Sequence, residues 1–352
     1  MEEWILLVYA VIAVGFSALL GSFFVKGTFN FLTKKTNGNT ERFSSQSKPI
    51  YGGILFYSVF LICSLIYFFS PMNTQGDTST FIALMITVGI SFFMGLADDL
   101  LNTPPLFKFI VQFVCAFVLI KTGIVIKISP ADWLNYTLTV FWVVGIMNSI
   151  NMLDNMDAIT SSISLTIILP CVLMQIIYGT INLDTLVMVT VSGALLGFLL
   201  YNWSPAKMYM GDNGSQFLGI LLAYVGIKYF WNGMQITGEM NYAYNAKQFI
   251  MVALAFIVPL SDTTTVTINR LLKGKSPFVG GRDHTTHYLY YRGLTTRKVA
   301  VVLIAINLIG VCLAQTLIYM PEISYNIVYA FAIYPILMFA LLYINTKVTK
   351  QK

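Results

Sequence analysis

Five aspartates interrupt an otherwise strongly apolar chain: Asp98, Asp99, Asp154, Asp157 and Asp212, with Lys207 the one basic residue in the same segments and Lys108 just beyond. Carboxylates gathered with so few basic partners invite a cation, and ionisable groups bordering apolar runs are functional candidates. The first pair closes an apolar run in the stretch GLADDLLN, residues 95–102. A helix C-terminus carries partial negative charge, so acids there are electrostatically unfavourable. A solvated helix end accounts for one such acid, but two, with Lys108 nine residues on to meet an anion, point to chemistry. The next group reads NSINMLDNMDA from 148 to 158, with Asn148, Asn151, Asp154 and Asp157 at intervals of three. Neighbours in such a series meet on a helix. At 3.6 residues per turn the series drifts, so Asn148 and Asp157 cannot share one face, and the helix is expected to end or tighten near Asn155. Capping explains one or two of these residues but not four.

Two further loops could meet an anion. YMGDNGS, residues 209–215, immediately precedes an apolar run, and its glycines and helix N-terminus could admit a phosphate. A plain turn is the alternative reading. The stretch KGKSPFVGGRDHTTH, residues 273–287, is basic and holds both histidines of the chain, His284 and His287. A structural zinc site needs four ligands and no cysteine lies nearby, so binding of an anionic phosphate group by this loop is the expected use. KPIYGG, residues 48–53, adds Lys48, although its proline could simply open a helix.

The elements that must position these residues are set by composition. The 352 residues are 57% hydrophobic and 10% charged, against about 25% charged in an ordinary soluble domain. A water-soluble fold is excluded. Apolar runs long enough for a bilayer core of about 30 Å recur throughout, giving eleven expected spans: 4–25, 51–70, 80–97, 107–122, 136–150, 159–178, 184–202, 215–232, 248–269, 298–318 and 325–346. The chain thus reads as a single all-α polytopic membrane domain over residues 1–352. Its first span follows Glu2 and Glu3 without a clear cleavage site and reads as a retained anchor.

Lysines and arginines concentrate on the cytoplasmic side of membrane proteins. With the N-terminus outside and the C-terminus cytoplasmic, 17 of the 21 fall inside, and only Lys121, Lys127, Lys228 and Lys247 fall outside. Lys350 is then cytoplasmic, and Asp77 and Glu239 face outward. All five loops capable of chemistry (26–50, 98–106, 151–158, 203–214 and 270–297) share the cytoplasmic face and are expected to build the site there. The net charge of +6 reads as topology and attraction to lipid headgroups, with no basic domain for nucleic acid. Cys63, Cys115, Cys171 and Cys312 lie in apolar spans and read as small core residues.

Taken in order, these loops resemble the polyprenyl-phosphate N-acetylhexosamine 1-phosphate transferase family over nearly the whole chain. The family pattern has an aspartate pair after the third span, an Asn-rich and Asp-rich loop after the fifth, a Gly-Asp-x-Gly-Ser loop, a histidine loop and a weaker Pro-x-x-Gly-Gly. The resemblance implies a multi-pass enzyme of the cell inner (plasma) membrane. It would transfer N-acetylhexosamine 1-phosphate, with GlcNAc 1-phosphate favoured, from a UDP-sugar to polyprenyl (undecaprenyl) phosphate and release UMP, initiating a surface glycan. It implies Mg2+, with Mn2+ as a substitute, on Asp212 and Asn151; phosphates held by Lys108 and Arg282; and uracil met by Asp157. Asp154, His284 and His287 would support the nucleotide and diphosphate, with Lys48 and Asn148 also on the substrate side. Asp98 and Asp99 would bind metal, accept a proton or orient Lys108. A homodimer is compatible with the resemblance. The chain departs from the pattern at Asn155 and Ala158, where glycines are usual, and at Thr286, where a histidine is usual. A secondary transporter is the alternative of another class, disfavoured because such sites lie near the membrane midplane between repeats, and no repeat is visible.

Overall fold

The computed structural model of the chain describes residues 3–27, 48–69, 78–233, 245–277, 280–320 and 324–349. Lys34, Lys35, Arg42, Asp77, Glu239, Lys350 and Lys352 lie outside them. Among the described residues the regular structure is helical: α1 (Glu3–Lys26), α2 (Gly52–Phe68), α3 (Thr78–Leu101), α4 (Pro105–Lys121), α5 (Asp132–Leu153), α6 (Ile159–Ile177), α7 (Leu183–Asn202), α8 (Gly211–Val225), a π segment (Gly226–Trp231), α9 (Asn245–Ala255), α10 (Ile257–Leu272), α11 (Thr285–Tyr291), α12 (Thr296–Tyr319) and α13 (Tyr325–Val348). Helices dominate because backbone polar groups in lipid must be satisfied within the segment.

Each of the eleven expected spans falls on helix. Among the described residues seven helices are long and apolar enough to cross a membrane, or eight if α9 and α10 form one broken span. The span expected over 248–269 bends by 85° between α9 and α10, and α2, α4 and α8 are 17, 17 and 15 residues long. The loop expected over 270–297 contains α11. Asp98 and Asp99, expected to begin a loop, lie inside the last turn of α3.

The core is organised around α8. Every residue from Asn213 to Val225 is buried, and only Asp212 at its start is partly open. A helix that is apolar all round belongs in the middle of a bundle, and α2, α3, α5 and α6 surround it. Small residues set the approaches. A Cβ on Gly95 of α3 would sit 2.6 Å from Asn213 Cα, and one on Gly219 of α8 would sit 2.8 Å from Met147 Cα. Gly193 and Gly197 of α7 face Ala13 and Ser17 of α1 in the same way, and the Ser17 hydroxyl donates to the Ala194 carbonyl at 2.6 Å. This is the close small-residue contact that membrane helices use in place of a hydrophobic driving force. Cys63, Cys115 and Cys171 are buried as expected, whereas Cys312 is exposed on the outer surface of α12.

Candidate active site

The polar residues read from the sequence converge where α3, α4, α5 and α8 end or begin. Lys108, in the first turn of α4, forms ion pairs with Asp98 and with Asp212, whose Oδ2 lies 3.2 Å away. Asn151, near the end of α5, donates from Nδ2 to Asp212 Oδ1 at 3.3 Å and to Ser215 Oγ at 2.8 Å. Two carboxylates therefore face one ammonium, leaving the cluster with an excess negative charge. Asp98 is fixed from its other side by Thr103, whose backbone N–H and hydroxyl donate to Oδ1 at 2.9 and 2.7 Å.

Asp99 resolves the puzzle of acids at a helix C-terminus. Its carboxylate leaves α3 and accepts the backbone N–H groups of Asp212 and Asn213, at 3.1 and 2.9 Å, and the Asn213 amide at 2.6 Å. It thus caps the positive end of α8, where an acid is favoured. The sequence reading put Asp99 among the catalytic residues; in the structure its carboxylate meets the start of the helix that carries Asp212. The turn into α8 needs Gly211, whose φ is +78° and suits a residue without Cβ. The KPIYGG segment closes the same corner: Gly52 and Gly53 donate to the carbonyls of Tyr209 and Met210, both at 3.1 Å. Side chains at these glycines would collide with Met210 and with Asn213 and Gly214. Close packing against the Asp212 turn explains this glycine pair better than helix initiation does. Lys48 lies over the Tyr209 ring, 5.3 Å from its centre.

A second polar layer lies one helical turn below the first. Gln112 follows Lys108 by four residues, Gln216 follows Asp212 by four, and Asn148 precedes Asn151 by three. Asn148 donates to Gln112 Oε1 at 2.7 Å, and Gln112 donates to Gln216 Oε1 at 3.3 Å. Gln216 Nε2 is buried without a hydrogen-bond partner among the described residues. Asn148, expected on the substrate side, is joined to Gln112 in this layer. Gln112 and Gln216 escaped the sequence reading because single amides within apolar runs give no local signal; only helical register places them under charged residues.

The Asn-Asp turn after α5 braces the segment that leads to α8. Asp157 Oδ2 accepts the Ala206 N–H at 2.9 Å, tying down the loop that leads to Asp212. Asp154 is half-buried in the same turn. Ala158 adopts a φ of +66° and donates its N–H to Asn202 Oδ1 at 3.0 Å. A left-handed alanine is strained, which accounts for the usual glycine there.

The histidine loop is organised by two residues that the sequence reading missed. Asp262 of α10, fully buried, accepts the Thr285 N–H at 2.8 Å and hydroxyl at 2.6 Å, and lies 2.8 Å from His284 Nδ1. It orients that imidazole and caps α11. Its signal was an ionisable residue inside an apolar span. Arg270 grips Asp283 through Nε and Nη2, at 2.8 and 2.6 Å, and donates to the Pro277 carbonyl at 2.8 Å. The Asp283 carboxyl is pulled up by burial, but the Arg270 guanidinium more than offsets this and holds it below its usual range. Arg282 is exposed. His287, expected to contact substrate, is 1% exposed and accepts the His284 N–H at 3.4 Å. Burial, reinforced by His284, pushes its imidazole down to about 3, so it packs as a neutral ring.

The donor set fits Mg2+. Among the described residues no three His, Cys, Asp or Glu side chains gather as a metal cage. Mg2+ rarely uses one, and takes one or two carboxylates with phosphate and water oxygens. Asp212 supplies a carboxylate of that kind, and Asn151 holds it in place through Nδ2, with an amide oxygen of its own to offer.

A model of glycosyl transferase family 4 matches residues 81–230, a stretch that includes the aspartates, Lys108, Asn148 and Asn151 and stops short of the histidine loop. The chain is 28% identical to a probable undecaprenyl-phosphate N-acetylglucosaminyl 1-phosphate transferase of Bacillus subtilis, covering 64% of this chain and 63% of that protein. It is 26% identical to a decaprenyl-phosphate N-acetylglucosaminephosphotransferase of Mycolicibacterium smegmatis, over 78% of this chain and 73% of that one. It is 31% identical to a phospho-N-acetylmuramoyl-pentapeptide-transferase of Streptococcus pyogenes, over 63% of this chain and 72% of the relative.

Proposed function

Because this chain belongs to glycosyl transferase family 4, we propose that it moves a sugar 1-phosphate, GlcNAc 1-phosphate in the first instance, from a UDP-sugar to undecaprenyl phosphate at the cytoplasmic face of the inner membrane. The observation that carries the reading is Lys108 held between Asp98 and Asp212 at a membrane-helix end.

In this reaction an oxygen of the lipid phosphate attacks the sugar-bearing phosphorus, a new diphosphate bond forms, and the bond to UMP breaks. Two anions must approach in line, so positioning and charge neutralisation dominate. Lys108 meets the lipid phosphate, and Asp98 and Thr103 aim it. Asp99 and Gly211 hold the α8 N-terminus so that Asp212 faces the same space. Arg282, exposed beside the Arg270–Asp283 clamp, and His284, oriented by Asp262, meet the donor diphosphate. Asp212, with Asn151 beside it, would hold Mg2+, which would neutralise phosphate charge when bound. The same machinery serves UDP-MurNAc-pentapeptide as a second reading, favoured by the 31% identity to the Streptococcus pyogenes relative.

Purified protein given undecaprenyl phosphate and a panel of UDP-sugars should form a lipid-diphosphate-sugar, identified by mass spectrometry, with UDP-GlcNAc the best donor. A product only from UDP-MurNAc-pentapeptide would select the second reading, and none from any donor would defeat both. Asp212→Asn should lose at least about 100-fold in turnover, and chelation should silence the wild type. Turnover that survives chelation would remove Asp212 from a metal role.

A further inference from the structure

We propose that Asn155 and Thr286 form a latch that positions the nucleotide end of the site, so that the pair, not either residue alone, sets how tightly the donor substrate is held. The inference deepens the transfer reaction proposed above and rests on it. The Thr286 hydroxyl, on a fully buried side chain, donates to Asn155 Oδ1 at 2.6 Å across 131 residues of sequence. Asn155 is itself fixed: Nδ2 donates to the Met152 carbonyl at 2.9 Å and its backbone N–H to the Leu153 carbonyl at 2.8 Å. The bond therefore joins a rigid turn to α11.

Position gives the contact its consequence. Asn155 lies between Asp154 and Asp157, and Thr286 lies between His284 and His287. With seven residues, α11 is far too short to hold itself as a helix and depends on its anchors. Asp262 fixes its N-terminus to α10, and Thr286 fixes it to the acidic turn. From that turn Asp157 reaches Ala206 and the segment leading to Asp212. The latch thus sets the spacing between the imidazole of His284 and the acidic turn. These are also two of the positions at which the chain departs from the family pattern, and they touch.

A double-mutant cycle tests this, because residues acting through one bond are non-additive. Asn155→Ala and Thr286→Val should each raise the donor KM about 5- to 50-fold and leave the undecaprenyl phosphate KM within about twofold. The double variant should be no worse than the poorer single one, and Thr286→Ser, which keeps the hydroxyl, should retain the wild-type donor KM. Multiplicative effects, or an acceptor KM that moves as far as the donor KM, would overturn the latch. A wild type inactive with every donor would instead defeat the proposed reaction, and hydrogen exchange would still decide the latch. Amides of α11 should exchange faster in both single variants and no faster in the double; unchanged exchange in the singles overturns the proposal.

Discussion

We read Asp98 as a residue that aims Lys108, a role that its contacts favour over that of a general base. Its Oδ1 is engaged by Thr103 and its other oxygen by Lys108. A phosphate monoester has a second pKa of about 6, so near neutral pH the lipid phosphate arrives largely as the dianion and proton removal offers little. Asp98→Asn should therefore lose single-turnover rate by a factor that stays constant between about pH 5.5 and 9. General base assistance is worth about 10²- to 10⁴-fold, and a defect that fades at high pH would assign that role to Asp98. His287 makes a prediction about stability. Its folded value of about 3 lies below the ordinary 6.5, so the unfolded chain takes up a proton first as pH falls. The stabilisation from a neutral buried ring is complete above about pH 6.5 and is lost progressively toward pH 3. Asp283, lowered from 3.8 by Arg270 against the effect of burial, adds acid lability only below that value. The thermal midpoint should fall from about pH 6.5 downward in wild type and more shallowly in His287→Gln. Parallel curves would remove His287 as the cause.

The break between α9 and α10 shows what an element needs when it departs from regular helix inside a membrane. Turning the chain by 85° frees backbone groups that lipid cannot satisfy. Asn307 of α12 serves both sides of the break: its amide donates to the Ala255 carbonyl at 3.3 Å, and its Oδ1 accepts the Val258 N–H at 3.3 Å. Its Nδ2 also donates to Thr166 of α6 at 2.9 Å. The bend matters to the site because α10 carries Asp262 and Arg270, which build the histidine loop. Asn307→Leu should cost about 1–3 kcal/mol for each buried group left unpaired, read as a lowered thermal midpoint in detergent. Donor KM should rise in step as α10 loses its direction. An unchanged midpoint would mean that the bend is held by packing alone.

On the scale of the whole molecule the polar groups separate to two ends. One end gathers Asp98, Lys108, Asn151, Asp157 and Asp212 with the Ser204–Thr296 contact, 2.7 Å between hydroxyls. The other holds Asp184 paired with Lys228 and bonded by Tyr224 and Tyr229, at 2.7 and 3.3 Å. There Lys247 also donates to the Met320 carbonyl at 3.1 Å. Charge counting predicts that the first end is cytoplasmic. In intact cells an impermeant maleimide should label Lys127→Cys and spare Lys275→Cys until the membrane is permeabilised. Equal labelling before permeabilisation would invert or discard this orientation.

The sequence by itself determined that the chain is helical and membrane-bound, because hydrophobicity over about 20 residues is a local property that a bilayer reads directly. It also located the aspartates, Lys108 and the histidine loop, since charged residues next to apolar runs are conspicuous wherever the chain goes. Tertiary structure decided what each of them does. Asp98 and Asp99 are neighbours of one residue type, yet one pairs with Lys108 and the other caps α8, because adjacent positions on a helix face different partners. The two histidines stand three apart, yet Asp262 orients one while the other is buried among its neighbours. Gln112, Gln216, Asp262 and Asn307 have their partners more than 20 residues away. Such roles arise only when separate helices pack, at distances along the chain that no local pattern encodes.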